Sequence, residues 1–403
     1  MSQSVINNLS YSNLLAQFSE QMALAALPIV AVVTLHASAA ESASLQAINT
    51  LPFLLLSIPA GLLADRCRKK PLMLVTELIR AIALFVLCFL FFSGGLSLNI
   101  LGVFGFFIAT GTVVYSVAAP ALVTTLVGRN DLINANRRME IARSIAYTAG
   151  PAVGGMLAGF SSGIFAFFIA SLLSIGSIGF LLRLSAESPK ISSERHLLRE
   201  LADGVIFVAK NTYLRPIIIT AFFFNISWYL LMAIFSYYAF NNLSFSASEI
   251  GITLSLFGVG MVAGSFLYKP IASKLDFGKQ IILGPVSAFI AALLMGTTFF
   301  YPNMLVVLFS FFLFGFGPIV WTISTTTLRQ FVTPDNMIAR VSSVIMTVTF
   351  GARPLGAILG VWLSANFGVS SCLVAVFIGF SIQLCIIYFS MPTRIVTLEK
   401  LNE

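Results

Sequence analysis

Apolar residues along this chain do not recur at a fixed period; they fill whole windows. Twelve such runs lie near 13–35, 44–63, 71–92, 99–122, 141–159, 164–182, 216–240, 250–268, 281–301, 304–328, 341–365 and 372–390. A helix needs about 20 apolar residues to cross the hydrocarbon core of a bilayer. Strands of a membrane barrel would be shorter and would alternate. The pattern therefore predicts an all-α membrane protein with twelve transmembrane helices. One stretch breaks it. Between 185 and 215, Leu197, Leu198, Leu201, Val205 and Val208 recur at helical spacing, with Arg199, Glu200 and Asp203 between them. This reads as an amphipathic helix on the cytoplasmic face of the membrane. It divides the chain into a six-helix bundle (1–184), a central loop (185–215), and a second six-helix bundle with a short tail (216–403).

Composition supports the membrane reading. Hydrophobic residues make up 58% of the 403 and charged residues 9%, against about 25% charged in a soluble domain. The net charge of +8 would be compatible with a nucleic-acid partner, but its distribution excludes one. Arg66, Arg68, Lys69 and Lys70 follow span two, Arg129, Arg137 and Arg138 follow span four, and Arg183 with five basic residues of the central loop follows span six. Lys274 and Lys279 follow span eight, Arg329 and Arg340 bracket the next such turn, and Arg394 and Lys400 lie in the tail. The alternate loops, near 36–43, 93–98, 160–163, 241–249, 301–303 and 366–370, contain no Lys or Arg. Basic loops stay in the cytoplasm, so both termini are expected there. The first apolar run is too long for a signal-peptide core and has no basic segment before it, so it is read as a span. Cys67, Cys88, Cys372 and Cys385 are far apart, without metal-ligand or redox spacing.

The halves resemble each other. Phe106 and Phe107 correspond to Phe311 and Phe312, and Pro151 to Pro354, at offsets of about 205 and 203. Parallel repeats of this kind occur in carriers whose halves rock about a central site.

After span two comes Gly61-Leu62-Leu63-Ala64-Asp65-Arg66-Cys67-Arg68-Lys69-Lys70. A tight loop here would pack Gly61 against a neighbouring helix. Asp65 could cap a helix or pair with a base, and the basic cluster would anchor at the membrane surface. A plain positive loop is the simpler reading of the basic residues. The spacing resembles the signature loop of the major facilitator superfamily: Gly61, Asp65, Arg66, Lys69 and Lys70 match, and Arg68 replaces a glycine. The resemblance implies two pseudo-symmetric six-helix bundles, with this loop gating the inward face. The second-half counterpart, 273–280, has Leu275 where Asp65 stands. Two further regions resemble the drug- and siderophore-exporting group: 120–136 and 330–341. Span five contains Gly150-Pro151-Ala152-Val153-Gly154-Gly155. Proline bends a helix, and glycines permit close packing.

Ionisable groups inside spans are costly and are functional candidates by default. Glu20 has no base within a helical turn. It is read as a proton-coupling or cation-binding acid, or alternatively as a carboxyl at the wet mouth of span one. Glu77 and Arg80, three residues apart, suggest an intrahelical pair near the cytoplasmic side, with Arg80 deep enough to join an interhelical network. Arg353, beside Pro354 and deep in span eleven, requires a carboxylate, a carbonyl or an anionic substrate. Tyr115, Phe224, Trp228 and Trp321 are candidate cavity aromatics, or lipid-facing rings.

No nucleophile elbow, metal-ligand cluster or phosphate-binding loop is present in the sequence, so neither an enzyme nor an ATP-driven pump is expected, and no cofactor or metal. The expected function is secondary transport by alternating access, with proton-coupled export of amphipathic small molecules such as drugs or siderophores. An importer, a lysophospholipid flippase and a non-transporting sensor are the alternatives. The expected partners are a small-molecule substrate, protons and the lipid bilayer, the expected state is a monomer, and the expected location is a bacterial inner membrane.

Overall fold

The computed structural model describes residues 2–56, 59, 60, 63, 67–127, 132–160, 163–184, 197–334 and 337–396. Among these residues there are thirteen α-helices and no strand. They are α1 (Ser2–Val33), α2 (Ala39–Leu55), α3 (Lys69–Phe92), α4 (Leu98–Leu126), α5 (Leu132–Phe160), α6 (Ile164–Leu182) and α7 (Leu197–Lys210). Then follow α8 (Leu214–Tyr237), α9 (Ala247–Ala272), α10 (Phe277–Thr297), α11 (Met304–Val332), α12 (Ile338–Phe367) and α13 (Val369–Tyr388). Twelve correspond to the predicted spans and α7 to the amphipathic segment. Ten of the described helices are long and apolar enough to cross a membrane. The two spans outside that set have local reasons. Only 17 residues of α2 are described, and the first half of α5 carries Arg137, Arg138, Glu140 and Arg143.

Several helices exceed their apolar windows. α1 begins at Ser2 and α5 at Leu132. Their polar ends are fastened together: Arg138 Nη1 donates to Asn7 Oδ1 at 2.5 Å, and Asn13 Nδ2 donates to the Met139 carbonyl at 3.2 Å.

Helix starts follow elementary capping rules. Before α2, Ser38 and Glu41 form a capping box, each accepting from the other's backbone. Before α9, Ser246 and Glu249 make the same reciprocal bonds. Two residues before each cap the backbone turns left-handed: His36 has φ 54° and Ser244 φ 59°, the two non-glycine positive φ values described. The backbone bonds match as well, Ala37 N to Ala31 O and Phe245 N to Ala239 O, each 2.9 Å. The turn joining α1 to α2 therefore repeats between α8 and α9, which supports the internal repeat with independent local geometry.

Contacts group the chain into two compact units, Met1–Ser193 with Phe235–Ser255, and Glu194–Ile234 with Leu256–Glu403. In the first, α1 packs on α5 and α6, and α3 on α4 and α6, around a core that includes Met22, Leu27, Leu84, Leu87 and Phe167. In the second, α10 packs on α11 and α13, and Ile281, Leu328 and Ile387 are buried together.

The sidedness of α3 is the reverse of a water-soluble helix. Its buried face carries Met73, Glu77, Arg80, Leu84 and Leu87, while Val75, Leu78, Ile82, Phe85, Phe89 and Phe92 point outward. In water such an outer face would be strongly unfavourable. In lipid it is the stable arrangement, and the charges gather inside.

Candidate functional site

Arg80 occupies the middle of α3, between Lys69 and Phe92. With a rise of 1.5 Å per residue it stands about 16 Å from the start of the helix. This is deeper than the cytoplasmic end that the sequence suggests. Its guanidinium is 0% exposed and has four neighbours from three helices. Nη1 donates to Glu77 Oε1 at 2.6 Å and to the Ala16 carbonyl of α1 at 3.1 Å. Nη2 donates to Thr112 Oγ1 of α4 at 3.1 Å and lies 3.8 Å from Glu20 Oε2 of α1. The ring of Tyr115, one turn further along α4, is 6.0 Å from its central carbon.

The geometry ranks the two acids. Glu77 sits at hydrogen-bond distance, is 0% exposed and is the fixed partner. Glu20 is 9% exposed, and 3.8 Å exceeds the usual range for a direct N–H···O bond. One guanidinium faces two carboxylates. Glu20 is neither a solitary acid nor a water-exposed one, because its base comes from another helix, where helical spacing along α1 cannot reveal it.

Serines hold these helices in register. Ser19 Oγ of α1 donates to the Ala170 carbonyl at 2.7 Å and lies 3.0 Å from Ser174 Oγ of α6. Ser12 and Ser177 hydroxyls are 2.9 Å apart. The signal for this set in the sequence is that Ser171, Ser174 and Ser177 recur at a helical interval of three. Thr112 and the Ala16 carbonyl carry no comparable signal.

The glycine motif of α5 packs on two faces. A Cβ at Gly154 would lie 2.8 Å from the Met22 carbonyl oxygen of α1, and one at Gly150 would lie 2.6 Å from Gln21 Cβ. A Cβ at Gly155 would lie 2.5 Å from Gly251 Cα of α9. Pro151, between them, supplies no N–H to the helix ladder.

Of the signature loop, Gly61, Asp65 and Arg66 lie outside the described residues. Lys69 is buried. Lys70 donates to the carbonyls of Leu182 and Leu184 at the end of α6, the negative pole of that helix.

In the second unit, Arg353 stands mid-way along α12, with its central carbon 4.4 Å from the Phe350 ring centroid and 5.2 Å from that of Tyr229. Those aromatic partners, Tyr229 from α8 and Phe350 from α12 itself, add a cation–π contribution. Trp228 stacks on Phe257 at 4.8 Å and packs against Phe311 and Phe314. Phe224 and Trp321 line a cavity among α8, α10, α11, α12 and α13. Among the described residues no group of His, Cys, Asp and Glu could hold a metal ion.

Comparison with known proteins agrees with this architecture. The profile of a family described as transmembrane secretion effector matches residues 1–400. The enterobactin exporter EntS of Escherichia coli O1:K1 is 24% identical over 303 residues, spanning 74% of this chain and 71% of the relative. EntS of Shigella boydii serotype 18 matches to the same extent, 24% over 303 residues. Among solved structures, the nucleoside transporter NupG superposes with a TM-score of 0.74 at 15% identity, over 95% of this chain and 97% of that one. A bacterial homologue of the iron transporter ferroportin gives 0.73 at 15%, over 96% and 98%. A D-xylose–proton symporter gives 0.72 at 12%, over 97% and 98%. The structural likenesses establish the fold, and the profile establishes the family. The chain belongs to the transmembrane secretion effector family of the major facilitator superfamily, and it is a multi-pass membrane transporter, not an enzyme.

Proposed function

We propose that this transporter exports amphipathic small molecules, of the siderophore or drug class, in exchange for protons across a bacterial inner membrane. Both termini are in the cytoplasm, and the bundles 1–184 and 216–403, linked through 185–215, alternate access to the substrate. The observation that carries the reading is the buried cluster of Glu20, Arg80 and Glu77, in which one guanidinium faces two acids.

The chemistry follows from charge balance. An apolar interior penalises an unbalanced charge by several kcal/mol, and Arg80 balances Glu77 at hydrogen-bond distance while standing 3.8 Å from Glu20. A proton on Glu20 leaves the neutral Arg80–Glu77 pair. Binding and release of that proton at Glu20, the more accessible acid, would bias the two access states against each other. The loop bearing Gly61, Asp65, Arg66, Lys69 and Lys70 would latch the cytoplasmic face, and the hold of Lys70 on the end of α6 supports that role. Arg353 would serve as a cavity charge, and the Gly150–Pro151–Gly154–Gly155 segment as the bend on which α5 tilts. The relatives named as enterobactin exporters support the outward direction and the siderophore class.

The direction is tested in inverted membrane vesicles with an acidic interior. Labelled enterobactin, or an amphipathic dye, is expected to accumulate inside without ATP and to be released by a protonophore. Accumulation in right-side-out vesicles instead, or accumulation indifferent to the protonophore, would refute the proposal.

A further inference from the structure

The second unit contains a partly open cavity of about 250 Å³ that the charged cluster does not use. Four of the residues that line it each carry a buried side-chain polar atom without a hydrogen-bond partner: Thr220 Oγ1, Trp321 Nε1, Arg329 Nε and Gln383 Nε2. Thr220 and Gln383 are each 1% exposed. Native interiors pair nearly all such atoms, and each one left unpaired costs about 1–3 kcal/mol. Four on one cavity mark a wall arranged for something that supplies the missing partners.

The atoms define that something. The indole N–H and the guanidinium N–H can only donate. No Asp, Glu or His lines the cavity. The described ion pairs of this unit join Asp203 to Arg340 and Asp276 to Lys279, and leave Arg329 out. The occupant must therefore bring acceptors and negative charge. The remaining wall is apolar, with Ile218, Phe224, Pro285 and Pro318, so it also carries an apolar body. The volume is below the roughly 300–1,000 Å³ of pockets for drug-sized ligands, which limits that body to a ring or a short chain. One guanidinium balances one charge and matches the planar fork of a carboxylate.

We propose that this cavity binds a small carboxylate with a compact apolar body, such as an aryl carboxylate, through Arg329 and Trp321. Gln383 and Thr220 complete its hydrogen bonds. The site lies within one unit, apart from Glu20, and is read by binding rather than by transport. Its failure would leave the proton-exchange reading untouched.

The test is calorimetric titration of the purified full chain in phosphatidylcholine nanodiscs with sodium benzoate, and with benzamide as the neutral isostere. Saturable one-to-one benzoate binding is expected, with benzamide at least about ten-fold weaker. Arg329→Gln is expected to weaken benzoate by at least about ten-fold as well. Gln383→Leu should weaken benzoate while raising the unliganded thermal midpoint, because it removes a buried amide nitrogen without a partner. A merely structural Gln383 would show the opposite shift. Should Arg329→Gln fail to fold, Gln383→Leu carries the test alone. Equal affinity for benzamide, or unchanged binding in the variants, overturns the proposal. So does the absence of heat at millimolar benzoate, which would leave water as the occupant. Loss of benzoate binding in phosphatidylglycerol discs also overturns it, by assigning the cavity to an anionic lipid headgroup.

Discussion

Arg80 on α3 brings Nη2 to 3.8 Å from Oε2 of Glu20 on α1, although sixty residues separate the two in the chain. The same guanidinium holds Glu77 at 2.6 Å. Removing the base would leave the fully buried Glu77 carboxylate without its cation in a low-dielectric interior. Arg80→Met is therefore expected to destabilise the protein by about 3–5 kcal/mol. Glu20→Gln should cost much less, because the longer contact is not a direct hydrogen bond. Thermal unfolding in detergent checks this order, and an Arg80→Met protein as stable as the parent would contradict it.

The glycines of α5 predict a graded response. Gly154→Ala would drive a methyl into the Met22 carbonyl and should cost about 1–3 kcal/mol. Gly179, on α6, has nothing within 4 Å of a built Cβ. Gly179→Ala should be neutral or stabilise by up to about 1 kcal/mol through helix propensity. Equal effects of the two, measured by thermal midpoint, would mean that close packing on α1 is unimportant.

The docking of α7 on α12 separates charge from packing. Asp203 and Arg340 are 3.0 Å apart but both partly exposed, so Arg340→Ala should change stability by less than about 1 kcal/mol. Val341, fully buried against Val208 and Val344, should cost about 2 kcal/mol on truncation to Ala. Hydrogen exchange along α7 reports both, with faster exchange expected for Val341→Ala only.

Cysteines report the orientation. Cys67, between α2 and α3, is exposed, whereas Cys88 and Cys372 are buried. A membrane-impermeant maleimide should label Cys67 in inverted vesicles and spare it in right-side-out ones. Cys88 and Cys372 should react only after unfolding. Labelling of Cys67 from the outer face would reverse the proposed topology.

The spans were readable because lipid imposes one requirement on every residue facing it, and the outward phenylalanines of α3 meet that requirement regardless of their neighbours. The Glu77–Arg80 pair was readable because three residues place two side chains on one face of a helix. The Glu20–Arg80 contact was not, since it depends on how α1 and α3 pack. The turns at His36 and Ser244 lie between these cases. Ser38-x-x-Glu41 and Ser246-x-x-Glu249 are visible capping boxes, but dissimilar residues before them conceal the shared left-handed turn. The cavity around Trp321 and Arg329 draws its wall from five helices, so no single stretch of sequence reveals that its donors lack partners.

The central claim is that a proton is exchanged at Glu20 as substrate moves. Its most direct test is proton flux in proteoliposomes loaded with a pH-sensitive dye, comparing the parent with Glu20→Gln when substrate is added. The account predicts a substrate-dependent proton flux in the parent. In Glu20→Gln, whose fold is verified by its thermal midpoint, that flux is lost while substrate still equilibrates down its own gradient. An undiminished substrate-dependent proton flux in Glu20→Gln would contradict it.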